Sequence, residues 1–298
     1  MDMLRITDLY RNFGDKSVLS GLNLSVPEGS IFGFVGKNGA GKTTTMKLVL
    51  GLLKPTSGEI TVNGERVVYG QTLTNRYIGY LPDVPEFYSF MTAREYLIFC
   101  EEIAGVDSTE RTSRADEMLS LVGLFGERHR IGGFSRGMKQ RLGIAQALIA
   151  RPRLLICDEP TSALDPIGRR EILDILLSVR ERTTVLFSTH ILSDVERICT
   201  DIAFLRDGAV DIQGTISDVK AKYRKNEYAI ETERGVDISE MLSRFSAMRT
   251  VDGRVVFSED KHQVSEVLKF ISDRRVPILK IERLEPTLED LFREVADK

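Results

Sequence analysis

The chain has 298 residues, 41 Lys plus Arg against 44 Asp plus Glu, and a formal net charge of -3. This length suits a large domain with an appendage, and the near-balanced charge gives no bulk electrostatic reason to bind nucleic acid. Cys100, Cys157 and Cys199 are far apart and form no CxxC pair, which argues against a disulfide framework or zinc site and fits a reducing cytosol. No apolar stretch approaches the roughly 18 residues that span a bilayer, and "MDMLRITDLY" lacks the pattern of a secretory leader. Action at a membrane would need another chain to cross it.

In chain order, "MLRITDLYRNFGDKSVLSGLNLSVPEGSIFGFVG" alternates apolar and polar residues between glycines and Pro27, predicting several strands and turns. A helix follows from Thr43 ("TTTMKLVLGLL"), then strands across "SGEITVNGERV". Thr92 and Glu95 form a capping box that opens the helical "TAREYLIFCEEIAG", with further helices to about Leu124. "RLLICD" and "TTVLFSTH" read as buried strands separated by the helical "GRREILDILLSVRER", a βαβ unit of a parallel sheet. The charged "KAKYRKNE", Lys220 to Glu227, reads as a linker. Beyond it come a strand at "YAIET", a helix at "ISEMLSRF", a hairpin across "MRTVDGRVVFS" turning at Asp252 and Gly253, a helix at "HQVSEVLKFISDR" and a strand at "ILKIER". That order is βαββαβ, the ferredoxin-like split, closed by a last helix at "TLEDLFREVADK".

"GKNGAGKT", Gly36 to Thr43, fits GxxxxGK[ST] between an apolar strand and a helix, the context that motif requires. Gly36, Asn38, Gly39, Ala40 and Gly41 let the backbone wrap an anion; Lys42 reaches the β- and γ-phosphates; Thr43 offers its hydroxyl to Mg²⁺, with Thr44 next on the helix. Lys37 either adds charge there or stands solvated. Asp158 and Glu159 end the apolar "LLICDEP", where open α/β sheets place ligands. Asp158 would hold Mg²⁺ through water, and Glu159 would act as general base or water positioner. His190, alone, reads as a surface or capping histidine. "GGFSRGMKQR", Gly132 to Arg141, opens a second helix on bared backbone N–H groups, a second anion-binding arrangement far from the first.

Taken in order, "GKNGAGKTT", "FSRGMKQRL", "LLICDEPTSALD" and "STH" resemble the nucleotide-binding subunit of an ATP-binding cassette (ABC) transporter over about residues 3 to 215. The resemblance implies an α/β P-loop ATPase core with an antiparallel β subdomain and a helical subdomain at about residues 84–150. Together these occupy residues 1–219, followed by a small C-terminal α+β accessory domain at 220–298. It further implies that ATP and Mg²⁺ are the cofactors, that Ser135 and Gly137 contact a γ-phosphate held by a second copy of the chain, that His190 is the switch histidine, and that "SALD", ending at Asp165, crosses the dimer interface. The implied partners are that second copy and a polytopic membrane permease, with no nucleic acid. The implied location is cytoplasmic, peripheral on the inner face of the membrane.

Three positions depart from the commonest family pattern. Arg136 and Met138 flank Gly137 where glycine and glutamine are usual, a form resembling that of exporters with separate membrane subunits. Asp83, in "IGYLPDVPEFY", stands where a glutamine usually touches Mg²⁺ and relays nucleotide state to the permease; it is still a hard oxygen ligand, though charged and shorter. Phe13 occupies the place of an aromatic residue that stacks on adenine, although by itself it reads as core. A soluble cassette mechanoprotein is the alternative, but it normally carries two cassettes or a long coiled coil, and a P-loop kinase or GTPase-like switch would leave "SRGM" and "SALD" without a purpose. The tail resembles extensions of exporter subunits, and serves either as packing or as a regulatory domain.

Overall fold

The computed structural model describes residues 1–71, 73–223, 226–233, 235–251 and 253–296, with side chains through Phe292. The chain divides into two compact units, Met1–Ile216 and Ser217–Lys298. The first contains, in order, β1 (Asp2–Phe13), β2 (Lys16–Pro27), β3 (Ile31–Gly36), α1 (Lys42–Val49), β4 (Ser57–Val62), β5 (Glu65–Arg66), β6 (Ile78–Leu81), α2 (Ala93–Ile103), α3 (Arg111–Leu121), α4 (Arg136–Leu148), β7 (Leu154–Asp158), α5 (Pro166–Val179), β8 (Thr184–Thr189), α6 (Leu192–Ile198), β9 (Asp201–Arg206) and β10 (Ala209–Thr215).

Two sheets share this unit. β1, β2, β4 and β5 form an antiparallel sheet in the order β2-β1-β4-β5. The second runs β10-β9-β3-β8-β7-β6, parallel throughout except for the β9–β10 hairpin. Strands covered on both faces read as continuous apolar runs, and every residue of β3, β7 and β8 is buried. Phe32, Phe34, Leu154, Ile156 and Leu186 join the inward face of β1 and β2 in one core, each full side-chain burial contributing about 1.5–3 kcal/mol. Helices α2, α3 and α4 lie between β6 and β7 in the chain, within the segment predicted as a helical subdomain.

The topology positions the site. β3, β8, β7 and β6 are neighbours and parallel, so their carboxyl ends emerge along one edge, where ligands of open α/β sheets bind. Gly36 ends β3, Asp158 ends β7, His190 follows β8, and Asp83 lies two residues past β6.

The second unit contains α7 (Ile216–Lys222), which straddles the division, then β11 (Glu227–Thr232), α8 (Ser239–Arg244), β12 (Arg249–Val251), β13 (Arg254–Ser258), α9 (Val264–Arg274), β14 (Ile278–Arg283) and α10 (Leu288–Ala296). Its antiparallel sheet runs β12-β13-β11-β14, so the βαββαβ order closes into a sheet with the first strand central. Ile230, Met241, Phe245, Val255, Phe257, Val267 and Ile271 make a core within it. The start of the segment read as linker is helical, since α7 extends to Lys222. Arg224 and Lys225 of that segment, Asp252 of the predicted hairpin turn, and Asp297 and Lys298 of the segment predicted as the last helix lie outside the described residues.

Candidate active site

The loop between β3 and α1 is shaped by backbone conformations that side chains resist. Gly39 has φ 82° and Gly41 φ 111°, and a Cβ on Gly41 would stand 2.8 Å from Leu19 Cδ2. Gly41 is also the N-cap of α1 and carries no side chain to cap it. The positive end of α1 therefore faces the loop. Asn38, Gly39, Gly41, Lys42, Thr43 and Thr44 line a pocket of about 340 Å³, completed by Asp83, Glu159, Ser162 and His190. Gly36, buried, and Ala40, packed against the core, are outside the lining, as is the exposed Lys37.

Lys42 is 6% exposed and held from two sides. Its ammonium donates to Gly36 O at 2.7 Å and Lys37 O at 3.3 Å, and lies 3.1 Å from Glu159 Oε1. Across the same carboxylate, His190 Nδ1 is 2.9 Å from Glu159 Oε2. A carboxylate only accepts, so the imidazole proton sits on Nδ1. Glu159 is thus gripped between a lysine from the loop after β3 and a histidine from the end of β8. Its backbone is left-handed, φ 49°, an unusual conformation for a non-glycine residue.

Ser188 organises the acidic pair. Its hydroxyl donates to Asp158 Oδ1 at 2.6 Å and accepts from Glu159 N–H at 3.0 Å, while Ser188 O accepts from the same N–H at 3.2 Å. Asp158 is 3% exposed. Farther along, Thr161 and Arg169 both donate to Asp194, at 2.7 and 2.6 Å, pinning the segment after β7 to α6. Asp165 accepts from Gly168 N–H at 2.9 Å as the N-cap of α5. The sequence reading missed Ser188 and Ser162; a polar residue inside the apolar "TVLFSTH" was the available signal for Ser188.

Two buried carboxylate oxygens at the pocket, Asp83 Oδ1 and Glu159 Oε1, meet their neighbours as ion pairs, with Arg136 at 3.5 Å and Lys42 at 3.1 Å, and make no hydrogen bond of regular geometry. Thr43, Asp83 and Glu159 line the pocket with oxygen donors, the kind that hold a hard cation together with substrate phosphates, while Asp158 is outside the lining and, among the described residues, no three His, Cys, Asp or Glu side chains are grouped to hold a metal ion by themselves. Asp83 lies 3.5 Å from the Arg136 guanidinium. Burial pushes the Asp83 carboxyl up from its usual range; Arg136 opposes this, and the nearby Asp158 and Glu159 reinforce it.

Ser135 and Gly137 are not part of this pocket's lining. Ser135 is exposed and caps its own helix, accepting from Met138 N–H at 3.2 Å, so the N-terminus of α4 faces away from the core. Phe13, which by itself reads as core, is 45% exposed at the end of β1, where it pairs with Lys16 across the turn, and the Arg11 guanidinium lies 4.2 Å from its ring centroid.

A P-loop feeding the edge of a mixed sheet, with an acidic pair ending the strand two places away, defines a P-loop nucleoside triphosphatase. The ABC transporter family profile matches residues 19–162, and that of the C-terminal domain of DrrA1-3-like ATP-binding proteins matches residues 214–296. The ABC transporter ATP-binding protein YxlF of Bacillus subtilis is 36% identical over 297 residues, covering 98% of this chain and 99% of its own length. The bacitracin transport ATP-binding protein BcrA of Bacillus licheniformis is 36% identical over 302 residues, covering 97% and 96%. Among solved structures, an ATP-binding subunit of an ABC transporter superposes with a TM-score of 0.67 at 32% identity, covering 74% of this chain and 93% of that one. The cassette MJ0796, a dimer bound to ADP and Pi, superposes with a TM-score of 0.63 at 25% identity, covering 72% and 99%. The chain belongs to the ABC transporter family and is an ATP-binding subunit of the ATPase type, with a DrrA-like C-terminal domain. No helix among the described residues is long and apolar enough to cross a membrane.

Proposed function

We propose that the chain is the ATP-hydrolysing subunit of an exporter, working as two identical copies that close on two ATP molecules and move a separate permease from the cytoplasmic face of the membrane. The similarity to a bacitracin transport protein and to DrrA-like C-terminal domains supports export. In this reading each nucleotide lies between the P-loop of one copy and Ser135 and Gly137 of the other; the exposed Ser135 and half-buried Gly137, both outside their own pocket, support it. Phe13 offers its ring to adenine, Asp165 lies at the interface, and Thr43, Asp158 and Asp83 would hold Mg²⁺, which supplies charge neutralisation at the phosphates. Val84, Tyr88 and Phe90 are 62%, 51% and 62% exposed just after Asp83. The Tyr88 and Phe90 ring centroids lie 5.8 Å apart, exposed apolar surface of this kind suits a protein partner, and we assign it to the permease.

The observation that carries the catalytic reading is the Glu159 carboxylate, fixed between Lys42 and His190 at the pocket. On nucleotide binding Lys42 exchanges Glu159 for phosphate oxygens. Glu159, still oriented by His190 and by its backbone bonds to Ser188, then accepts the proton of the attacking water. General-base assistance of about 10² to 10⁴ corresponds to roughly 3–5 kcal/mol of barrier. Glu159→Gln keeps the shape and removes the base. The variant is expected to bind ATP, lose nearly all turnover and accumulate as an ATP-bound dimer in size-exclusion chromatography. Turnover at the unmodified rate would remove Glu159 from this role.

A further inference from the structure

Asp83 and Arg136 come from segments far apart in the sequence, one following β6 and the other opening α4. The fold brings them within 3.5 Å of one another. Asp83 lines the pocket and has one carboxylate oxygen that is buried and without a hydrogen-bond partner. At 3.5 Å Arg136 neutralises that carboxylate without satisfying it, so the contact is an ion pair that a better ligand can displace. Arg136 itself stands between Ser135 and Gly137 at the exposed start of α4.

We infer that Arg136 is a positioning residue that acts as the countercharge of Asp83 in the nucleotide pocket, holding its carboxylate when no cation is bound and releasing it when a divalent cation enters with the nucleotide. The inference rests on the reading of the pocket as the ATP site. Of the two carboxylates that line the pocket, Glu159 is offset by Lys42 and His190, and without a cation Arg136 is the neighbour that offsets Asp83. With a cation present, the metal takes over that task and Arg136 becomes dispensable to binding. The guanidinium is then free at the helix N-terminus that, in the proposed dimer, meets the other nucleotide. A carboxylate serving its own site is in this way tied to an arginine serving the partner's site.

The test is titration of the full chain with a fluorescent ATP analogue at low protein concentration, in excess EDTA and in excess Mg²⁺. Arg136→Gln is expected to weaken binding about 2–5-fold in EDTA, the range of a half-exposed ion pair, and to change it less than about 1.5-fold with Mg²⁺. Arg136→Lys should behave as the unmodified chain, and Asp83→Asn combined with Arg136→Gln should restore the EDTA affinity. Equal weakening in both buffers would mark Arg136 as merely structural and overturn the inference, as would no effect in EDTA or no restoration by the second substitution. If the unmodified chain bound nucleotide in neither buffer, the reading of the pocket would fall first and this one with it.

Discussion

Glu159 is held in a left-handed backbone conformation, a state that costs of order 1–3 kcal/mol for a non-glycine residue and persists where its surroundings over-determine it. Ser188 supplies that determination, binding the Glu159 N–H through both its carbonyl and hydroxyl oxygens while its hydroxyl also donates to Asp158. Ser188→Ala removes a buried hydrogen bond to a charged group, worth about 1.5–3 kcal/mol, so turnover is expected to fall about tenfold or more while ATP affinity stays within about twofold. Steady-state kinetics beside equilibrium binding measure the two separately, and unchanged turnover would show that Ser188 organises nothing. Lys42, Thr43, Asp158 and Glu159 were legible in the sequence because their chemistry depends on fixed offsets along one segment. Ser188 was not, because it acts sideways, from the strand hydrogen-bonded beside β7. The same sideways geometry hid the pairing of Asp83 with Arg136, two residues far apart in the sequence.

At the scale of elements, local chemistry sets where helices begin. Thr92 opens α2 with a capping box: its hydroxyl accepts from Glu95 N–H at 3.3 Å, and the Glu95 carboxylate accepts from Thr92 N–H at 2.8 Å. These bonds hold the Glu95 carboxyl below its ordinary value of 4.5, the Thr92 backbone bond contributing most. A carboxyl lowered by folding adds stability that is complete above its unfolded value and is lost as pH falls through the folded one. Loss of a cap costs about 1 kcal/mol, so Thr92→Ala should lower Tm by about 2–4 °C at pH 7. By calorimetry the deficit should shrink below about pH 4. A deficit independent of pH would mean that Glu95 takes no part. The capping box and the helices it starts could be read directly, whereas β6 could not. Its four residues, "IGYL", include Gly79, where a Cβ would lie 2.1 Å from Ala147 O, so this glycine records the close approach of the end of α4 and weakens the local strand signal. Strand β6 exists because it pairs with β7, a contact that no local pattern announces.

On the scale of the whole molecule, one chain divides into two units with separate cores. The C-terminal βαββαβ order was legible because its strands are short, alternate with amphipathic helices and are joined by polar turns. The relation between the two anion-binding helix N-termini was not legible from spacing, since α1 and α4 serve different nucleotides in the proposed dimer. That sharing is the central claim, and complementation tests it. Lys42→Ala disables the P-loop of a chain and Ser135→Arg blocks the start of its α4, so each variant alone should be nearly inactive as a homodimer. A random mixture places one intact P-loop opposite one intact α4 in half of its dimers, and about a quarter of the unmodified ATPase activity should return on mixing. A mixture no more active than its separate components would contradict a nucleotide site built from two chains.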